Sequence, residues 1–335
     1  MKYLEPLCLL DGTSGDEGRV RDYILAHLGN HPYRVDNLGN IIVEKKGKKA
    51  PKNKLMLSAH MDEVGIIITY IRDDGLLCFS TVGGIDEKAL LGKRVRVGEV
   101  SGVIGTAPVH LSDDVKQMPK KDQMYIDIGA TDKEDAEHYV APGDCGVFQS
   151  DFVRFGNGCV KSKAIDDRFG CALLLELLEK ELAFDVSLCF AVKEEIGLKG
   201  AGCAAYAIAP DIAIVVESTT ANDVCGVAGA ERVCALGEGP VISFMDRATV
   251  YDKALYASAM QAAKEAGLPA QTKTKIAGGN DAAAIQIAGD GVRVLALSLP
   301  TRYIHSSCCV AREEDMNHSL KLVEELIKCF GEIQA

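Results

Sequence analysis

Four short runs of nearly unbroken apolar residues leave this chain few options: KLMLSA before His60, VSLCFAV before Lys193, DIAIVV before Glu217 and VRVLALSLP before Thr301. Strands this apolar cannot turn one face to water, so they belong inside a parallel sheet covered on both sides. The segments between them have helical texture: RFGCALLLELLEKEL, GAGCAAYAI, a stretch over 250–266, a short one after Asp281 and an amphipathic C-terminal one over 313–330. Such alternation predicts an α/β fold, a mostly parallel sheet with helices on both faces.

Near the N-terminus, Ser14 and Glu17 have the form of a capping box, and Val20, Ile24 and Leu28 continue it as an amphipathic helix. From about Thr69 to Gly158 the texture changes to short β-like runs broken by glycines, the pattern of a small β-barrel or sandwich. At 335 residues the chain exceeds the usual span of one core. The expected organisation is a catalytic domain over 1–68 and 159–335, with 69–158 inserted as a β-rich unit.

A formal net charge of -11 repels phosphate backbones and anionic lipid surfaces, which argues against nucleic-acid or membrane partners. No stretch approaches the roughly 20 apolar residues of a membrane span, and the first residues do not form a signal peptide. The twelve cysteines lie scattered in apolar runs with no CxxC pair, as expected of buried thiols in a reducing cytoplasm. Cys308 and Cys309, close to His305, are adjacent and point different ways, which weakens them as ligands.

In open α/β sheets ligands bind beyond the carboxyl ends of the strands. There this chain places His60-Met61-Asp62-Glu63, Glu194-Glu195, Glu217 and, after a short loop, His305; Asp166-Asp167 open the helix that follows Lys163. Two histidines and at least three carboxylates on one edge repel one another severely unless cations neutralise them. Imidazole with carboxylate suits zinc, cobalt or manganese better than calcium. A two-metal hydrolase fits the details. Asp166 can offer one oxygen to each of two ions, Asp62 can orient His60 or an attacking water, and one of the Glu194-Glu195 pair can bind metal while the other takes a proton.

His27, His31, His110, His138 and His318 lack a carboxylate at ligand spacing and read as surface or satisfied core residues. Gly278-Gly279 reads as a turn opening a helix, with Asp281 as the charge partner of its N-terminus. Phosphate-loop and GxSxG patterns are absent.

The segments SAHMDEVG, VGGIDEKALLGKRV, KAIDDRFG, AVKEEIGLKGAG, GGNDAAAIQIAGDGV and LPTRYIHSS resemble, in order and across nearly the whole chain, the dinuclear-metal aminopeptidases of the glutamyl-aminopeptidase and tetrahedral-aminopeptidase type. That resemblance implies hydrolysis of the N-terminal residue of short peptides with two divalent ions, zinc or cobalt with manganese as a further candidate. It implies Asp166 as the bridging ligand, His60 and Glu217 completing one site, Glu195 and His305 the other, Glu194 as the base acting on a shared water, and Asp62 supporting His60. It also implies that the β-rich insertion makes dimers, which assemble into a hollow dodecamer.

Two positions depart from the family pattern: Glu217 stands where Asp is usual, and Asn280 where Thr is commoner. In related dinuclear-zinc peptidases Glu at the first of these often accompanies carboxypeptidase or deacylase activity, so an N-acyl hydrolase or carboxypeptidase is the alternative enzyme. A catalytically silent assembly protein would need a broken ligand set, and every expected ligand type is present. A glycosidase would need paired carboxylates in an aromatic-lined cleft, and this chain has no Trp and only 6% aromatic residues.

Overall fold

Leu55–His60 and Val186–Ala191 are buried along their whole length, as strands without a polar face must be. In the computed structural model, which describes residues 1–107 and 118–333, they lie at the centre of a seven-stranded sheet. Its order is Tyr33–Val35, Ile41–Lys45, Val186–Ala191, Leu55–His60, Ile212–Thr220, Arg293–Thr301, Val241–Ile242. The four middle strands are parallel; Ile41–Lys45 and Val241–Ile242 pair antiparallel with them, and Tyr33–Val35 pairs antiparallel with Ile41–Lys45. Side-chain alternation sends Leu55, Leu57 and Ala59 to one core and Met56 to another. The first core is closed by helices Leu4–Leu9, Gly18–Ala26, Ile165–Leu178, Lys253–Glu265 and Glu313–Glu332. Lys199–Ile208 and Ala282–Ile285 close the second. The α/β sheet with helices on both faces is as the sequence predicts. Among the described residues no helix is long and apolar enough to cross a membrane.

Five residues beyond His60 the chain enters a closed six-stranded barrel, ordered Gly65–Ile71, Leu77–Val82, Met124–Asp127, Val100–Thr106, Arg94–Val97, Cys145–Phe148, around its own apolar core. Val153–Phe155, which shares the texture of the β-rich stretch, pairs instead with Cys159–Ser162, and that strand with Cys309–Arg312.

The capping-box expectation is overturned. Ser14 Oγ donates to Asp62 Oδ2 at 2.6 Å, and Glu17 Oε1 accepts from the amides of Gly15 and Lys193. The helix itself starts at Gly18 with no side-chain cap. The motif's polar groups are spent on tertiary contacts around the sheet edge. Asp166 and Asp167 carry non-helical φ/ψ, so the regular turn begins after them. Asp281 stands at the N-cap of Ala282–Ile285, the position expected of a charge partner for that helix terminus; it makes no cap hydrogen bond, and its buried Oδ1 has no partner among the described residues.

The helix carrying Asp166 lies close enough to Leu55–His60 that a Cβ at Gly170 would sit 2.4 Å from Asp167 Oδ2 and 2.8 Å from Ala59 Cβ. Asp167 Oδ2 also accepts the His60 amide. Replacing a helical glycine by alanine gains about 1 kcal/mol in propensity, whereas such an overlap costs about 1–3 kcal/mol. Gly170→Ala should therefore lower the urea midpoint, and a midpoint unchanged or raised would contradict the close approach.

Candidate metal centre

The parallel strands deliver the expected residues to one edge. His60 ends Leu55–His60, Glu194 and Glu195 follow Val186–Ala191, Glu217 lies within Ile212–Thr220, and His305 follows Arg293–Thr301. Asp166 stands between the histidines: His60 Nε2 is 3.5 Å from its Oδ1, and His305 Nε2 is 3.4 Å from its Oδ2. His305 Nε2 is also 3.3 Å from Glu195 Oε1, a buried oxygen with no hydrogen bond of good geometry. Ligand atoms of His60, Asp166 and Glu195 all lie within 4.8 Å of one another.

Each imidazole is oriented from behind. His60 Nδ1 lies 3.0 Å from the Asp62 carbonyl and His305 Nδ1 lies 2.8 Å from the Gly84 carbonyl, so each ring donates from Nδ1 and turns Nε2 toward Asp166. Gly84 belongs to the connection after the barrel strand Leu77–Val82, so the inserted unit reaches the site. Asp62, fully buried, accepts from Ser14 Oγ and from the amides of Glu194 and Glu195, tying one strand end to the next. Beneath them Glu63 Oε1 receives Lys163 Nζ at 2.6 Å and Arg168 Nη2 at 3.0 Å, while Arg168 Nε donates to the Met61 carbonyl. Lys163 and Arg168 bracket Asp166 in sequence, and Glu63, a strand-end candidate in the sequence, is taken up by these two cations.

Among the described residues, five of the seven non-glycine positions with positive φ flank this edge: Ala164, Lys193, Leu198, Tyr303 and His305. Each such conformation costs roughly 1–2 kcal/mol, so this strain is concentrated at the candidate site, where it aims side chains.

The charges call for cations. Burial raises the carboxyl pKa of Glu194 and Glu195, and pushes Glu217 up to about 7. Burial opposes the charged forms of both histidines, yet the facing carboxylates of Asp166, Asp62 and Glu195, 3.3–3.5 Å away, outweigh it, holding His60 well above its usual value and His305 at about 11. Those same imidazoles more than offset the burial of Asp166 and hold its pKa low. Two ligand atoms of one tetrahedral zinc ion, each about 2.0–2.1 Å from it, lie about 3.4 Å apart. The imidazole-carboxylate spacings match that figure and exceed the 2.7–2.9 Å or so of charge-assisted hydrogen bonds. The donor set of His60, Asp166 and Glu195 therefore fits a divalent ion.

Glu217 is set apart from this cluster. Its Oε1 accepts from Asn280 Nδ2 at 2.8 Å and Ser298 Oγ at 2.9 Å. Lys273, buried and bonded to the Ala277 carbonyl, lines the same cleft of about 370 Å³ as the metal-ligating candidates and Gly278-Gly279. Elsewhere His27 stacks on Tyr23, His31 bonds the Leu178 carbonyl, His138 is exposed and His318 is half-buried. His110 lies outside the described residues. Cys308 and Cys309 do not join the ligand cluster.

Three comparisons bear on this geometry. Residues 39–322 match the profile described as M42 glutamyl aminopeptidase. The lysyl aminopeptidase of Pyrococcus furiosus is 33% identical over 95% of this chain and 93% of its own. Among solved structures, an aminopeptidase from the archaeon Desulfurococcus kamchatkensis superposes with a TM-score of 0.92 at 34% identity, covering 97% of this chain and 93% of the other. The TET1 peptidase of Pyrococcus horikoshii, described as assembling into a tetrahedron or a large octahedral shell, gives 0.86 at 35% identity over 97% and 98%.

The pKa pattern gives metal-free protein a definite pH response. Raised carboxyl values at Glu217 and at Asp281, both about 7, mean that the folded state holds protons the unfolded chain has released above about pH 4. Raised histidine values add the same effect above about pH 6.5. Both contributions are full at low pH and are lost as pH rises. Asp62 and Asp166, held low, act oppositely but only below about pH 4. The Tm of chelator-treated protein should fall between about pH 5 and pH 9, and excess zinc should flatten the slope, since ions take neutral imidazole and ionised carboxylate. A flat or rising metal-free profile would contradict the electrostatics.

Proposed function

Because the chain belongs to the M42 glutamyl aminopeptidase family, we propose that it removes the N-terminal residue of short peptides by metal-dependent hydrolysis. His60, Asp166, Glu195, Glu217 and His305 would hold two divalent ions, zinc or cobalt with manganese as a further candidate. The observation that carries this reading is Asp166, which offers one oxygen to each of two histidines at 3.4–3.5 Å. When bound, the ions supply Lewis acidity toward the scissile carbonyl and the attacking water.

This chain's residues supply the rest. Glu194 is half-buried with its amide tied to Asp62, and its carboxyl pKa is raised, so it takes a proton from the attacking water at a carboxylate oxygen and returns it to the leaving amine. Asp62 keeps Glu194 and Glu195 diverging from one fixed turn. His60 and His305 hold their Nε2 atoms toward Asp166 through their carbonyl partners.

The barrel, which begins at Gly65 and takes in most of residues 69–158, serves self-association: it has a core of its own, and its Gly84 carbonyl meets the His305 ring. A solved relative described as a dodecamer, and the Pyrococcus horikoshii relative described as assembling into a tetrahedron or a large octahedral shell, support the reading that dimers of this chain build a dodecamer. Twelve free thiols support a reducing cytoplasm.

Glu194→Gln should retain metal, measured by elemental analysis, while lowering kcat about 100-fold or more; near-normal turnover would remove Glu194 as the base. The test of substrate class sets aminoacyl-p-nitroanilides against N-acyl amino acids. Cleavage of the former is expected, and cleavage of only the latter would establish the deacylase alternative. In light scattering the same active preparation should run far above 35.8 kDa, and an active monomer would refute the assembly.

A further inference from the structure

We propose that Asn280 is a positioning residue for Glu217, locking that carboxylate so that only Oε2 is presented to metal, and that the two form one compensating unit. The inference rests on the reading of Glu217 as a ligand.

Glutamate is one methylene longer than aspartate, so its carboxylate has an extra torsion to settle before it can bind an ion in a fixed geometry. Here two donors settle it. Asn280 Nδ2 and Ser298 Oγ both donate to Oε1, at 2.8 and 2.9 Å, which uses that oxygen's two lone pairs. Oε2 accepts no hydrogen bond among the described residues, and the side chain lines the cleft. Binding through Oε2 alone follows, because an ion at Oε1 would have to displace both donors.

Asn280 is itself held. Its Oδ1 accepts the Ala282 amide at 2.8 Å, which sets the NH2 group toward Glu217. The reverse orientation would press an amide oxygen against the Glu217 and Asp246 carboxylates. The amide also meets the Tyr251 oxygen at 2.8 Å and Asp246 Oδ2 at 3.3 Å. Tyr251 O–H in turn donates to Asp246 Oδ2 at 2.5 Å, and Asp246 Oδ1 receives the amides of Ala248 and Thr249. All four side-chain partners are buried, Asp246 at 1%, Asn280 at 2%, Tyr251 at 4% and Glu217 at 7% exposure. In that setting each bond is electrostatically strong and an unpaired member is costly. The chain of bonds runs from the loop backbone to the ligand with no free rotor along it.

Glu217 and Asn280 are also the two positions at which the sequence leaves the pattern of the family it resembles. The structure puts them at opposite ends of one hydrogen bond. A threonine at 280 offers a single hydroxyl donor and cannot serve Glu217 and Tyr251 together, whereas an aspartate at 217 would retreat from the Asn280 amide.

A double-mutant cycle with metal binding as the readout tests this. Zinc and manganese titrations by calorimetry on chelator-treated protein would compare wild type, Asn280→Thr, Glu217→Asp and the double variant. Asn280→Thr should weaken one site about tenfold to a hundredfold, the usual cost of losing a ligand's hydrogen-bond partner, and leave the other unchanged. The double variant should recover to within a few-fold of wild type. A cobalt-loaded sample should show an altered visible spectrum in Asn280→Thr and recovery in the double variant. Additive effects, or unchanged affinity at both sites in Asn280→Thr, would overturn the proposal. If that variant fails to fold, Tyr251→Phe, which keeps the volume and removes one acceptor, should weaken the same site; unchanged affinity there would equally overturn it. Glu217→Gln separates this from the wider reading. Unchanged affinity at both sites would remove Glu217 from the ligands, whereas loss of one site together with an inert Asn280→Thr would remove the positioning role alone.

Discussion

A buried aspartate with a histidine against each oxygen sets the terms for the rest of the molecule. Asp166 sits at the carboxyl edge of a parallel sheet, where Glu195, Glu217 and Glu194 gather within the same cleft. Two like charges about 4 Å apart repel by about 4 kcal/mol even at an effective dielectric near 20. Such a group can be assembled only if protons or metal ions compensate it. In the absence of metal the compensation takes the form of imidazolium and raised carboxyl pKa values. The same atoms have the spacing and softness that divalent ions prefer.

Holding that arrangement requires rigidity from outside the strands. Asp62 joins the end of one strand to the turn after another and takes its third hydrogen bond from Ser14, so the N-terminal loop is part of the support. Lys163, Arg168 and Glu63 form a buried charge cluster under the chain that presents Asp166. Removing one member of such a cluster leaves an uncompensated buried charge, commonly a loss of about 3–5 kcal/mol. The barrel's connection contributes the Gly84 carbonyl, which fixes the ring of His305. Geometry at the centre is thereby coupled to the unit that we assign to self-association.

Much of the fold was legible because burial leaves a mark on composition. The runs KLMLSA and DIAIVV are apolar for the reason that both faces of the strands are covered, and the residues that follow them had to lie on one edge. Residue type alone brought His60, Asp166, Glu195 and His305 into one cluster, and the motif order pointed to the family. Long-range polar contacts left no such mark. Ser14 and Glu17 match a capping box in spacing, but Ser14 donates to Asp62 and Glu17 ties the Gly15 amide to that of distant Lys193, so the local pattern hides a tertiary one. Asp281 does stand at a helix N-cap, but the burial of its carboxyl beside the site left no local mark. The pairing of Glu217 with Asn280 was invisible because two separate departures from a pattern do not announce that they touch.

The central claim is that Asp166 bridges two ions, and anomalous X-ray diffraction from zinc-loaded crystals tests it most directly. Two anomalous peaks per chain should appear on opposite sides of the Asp166 carboxylate, one beside His60 and one beside His305. A single peak at full occupancy, or peaks remote from Asp166, would contradict it.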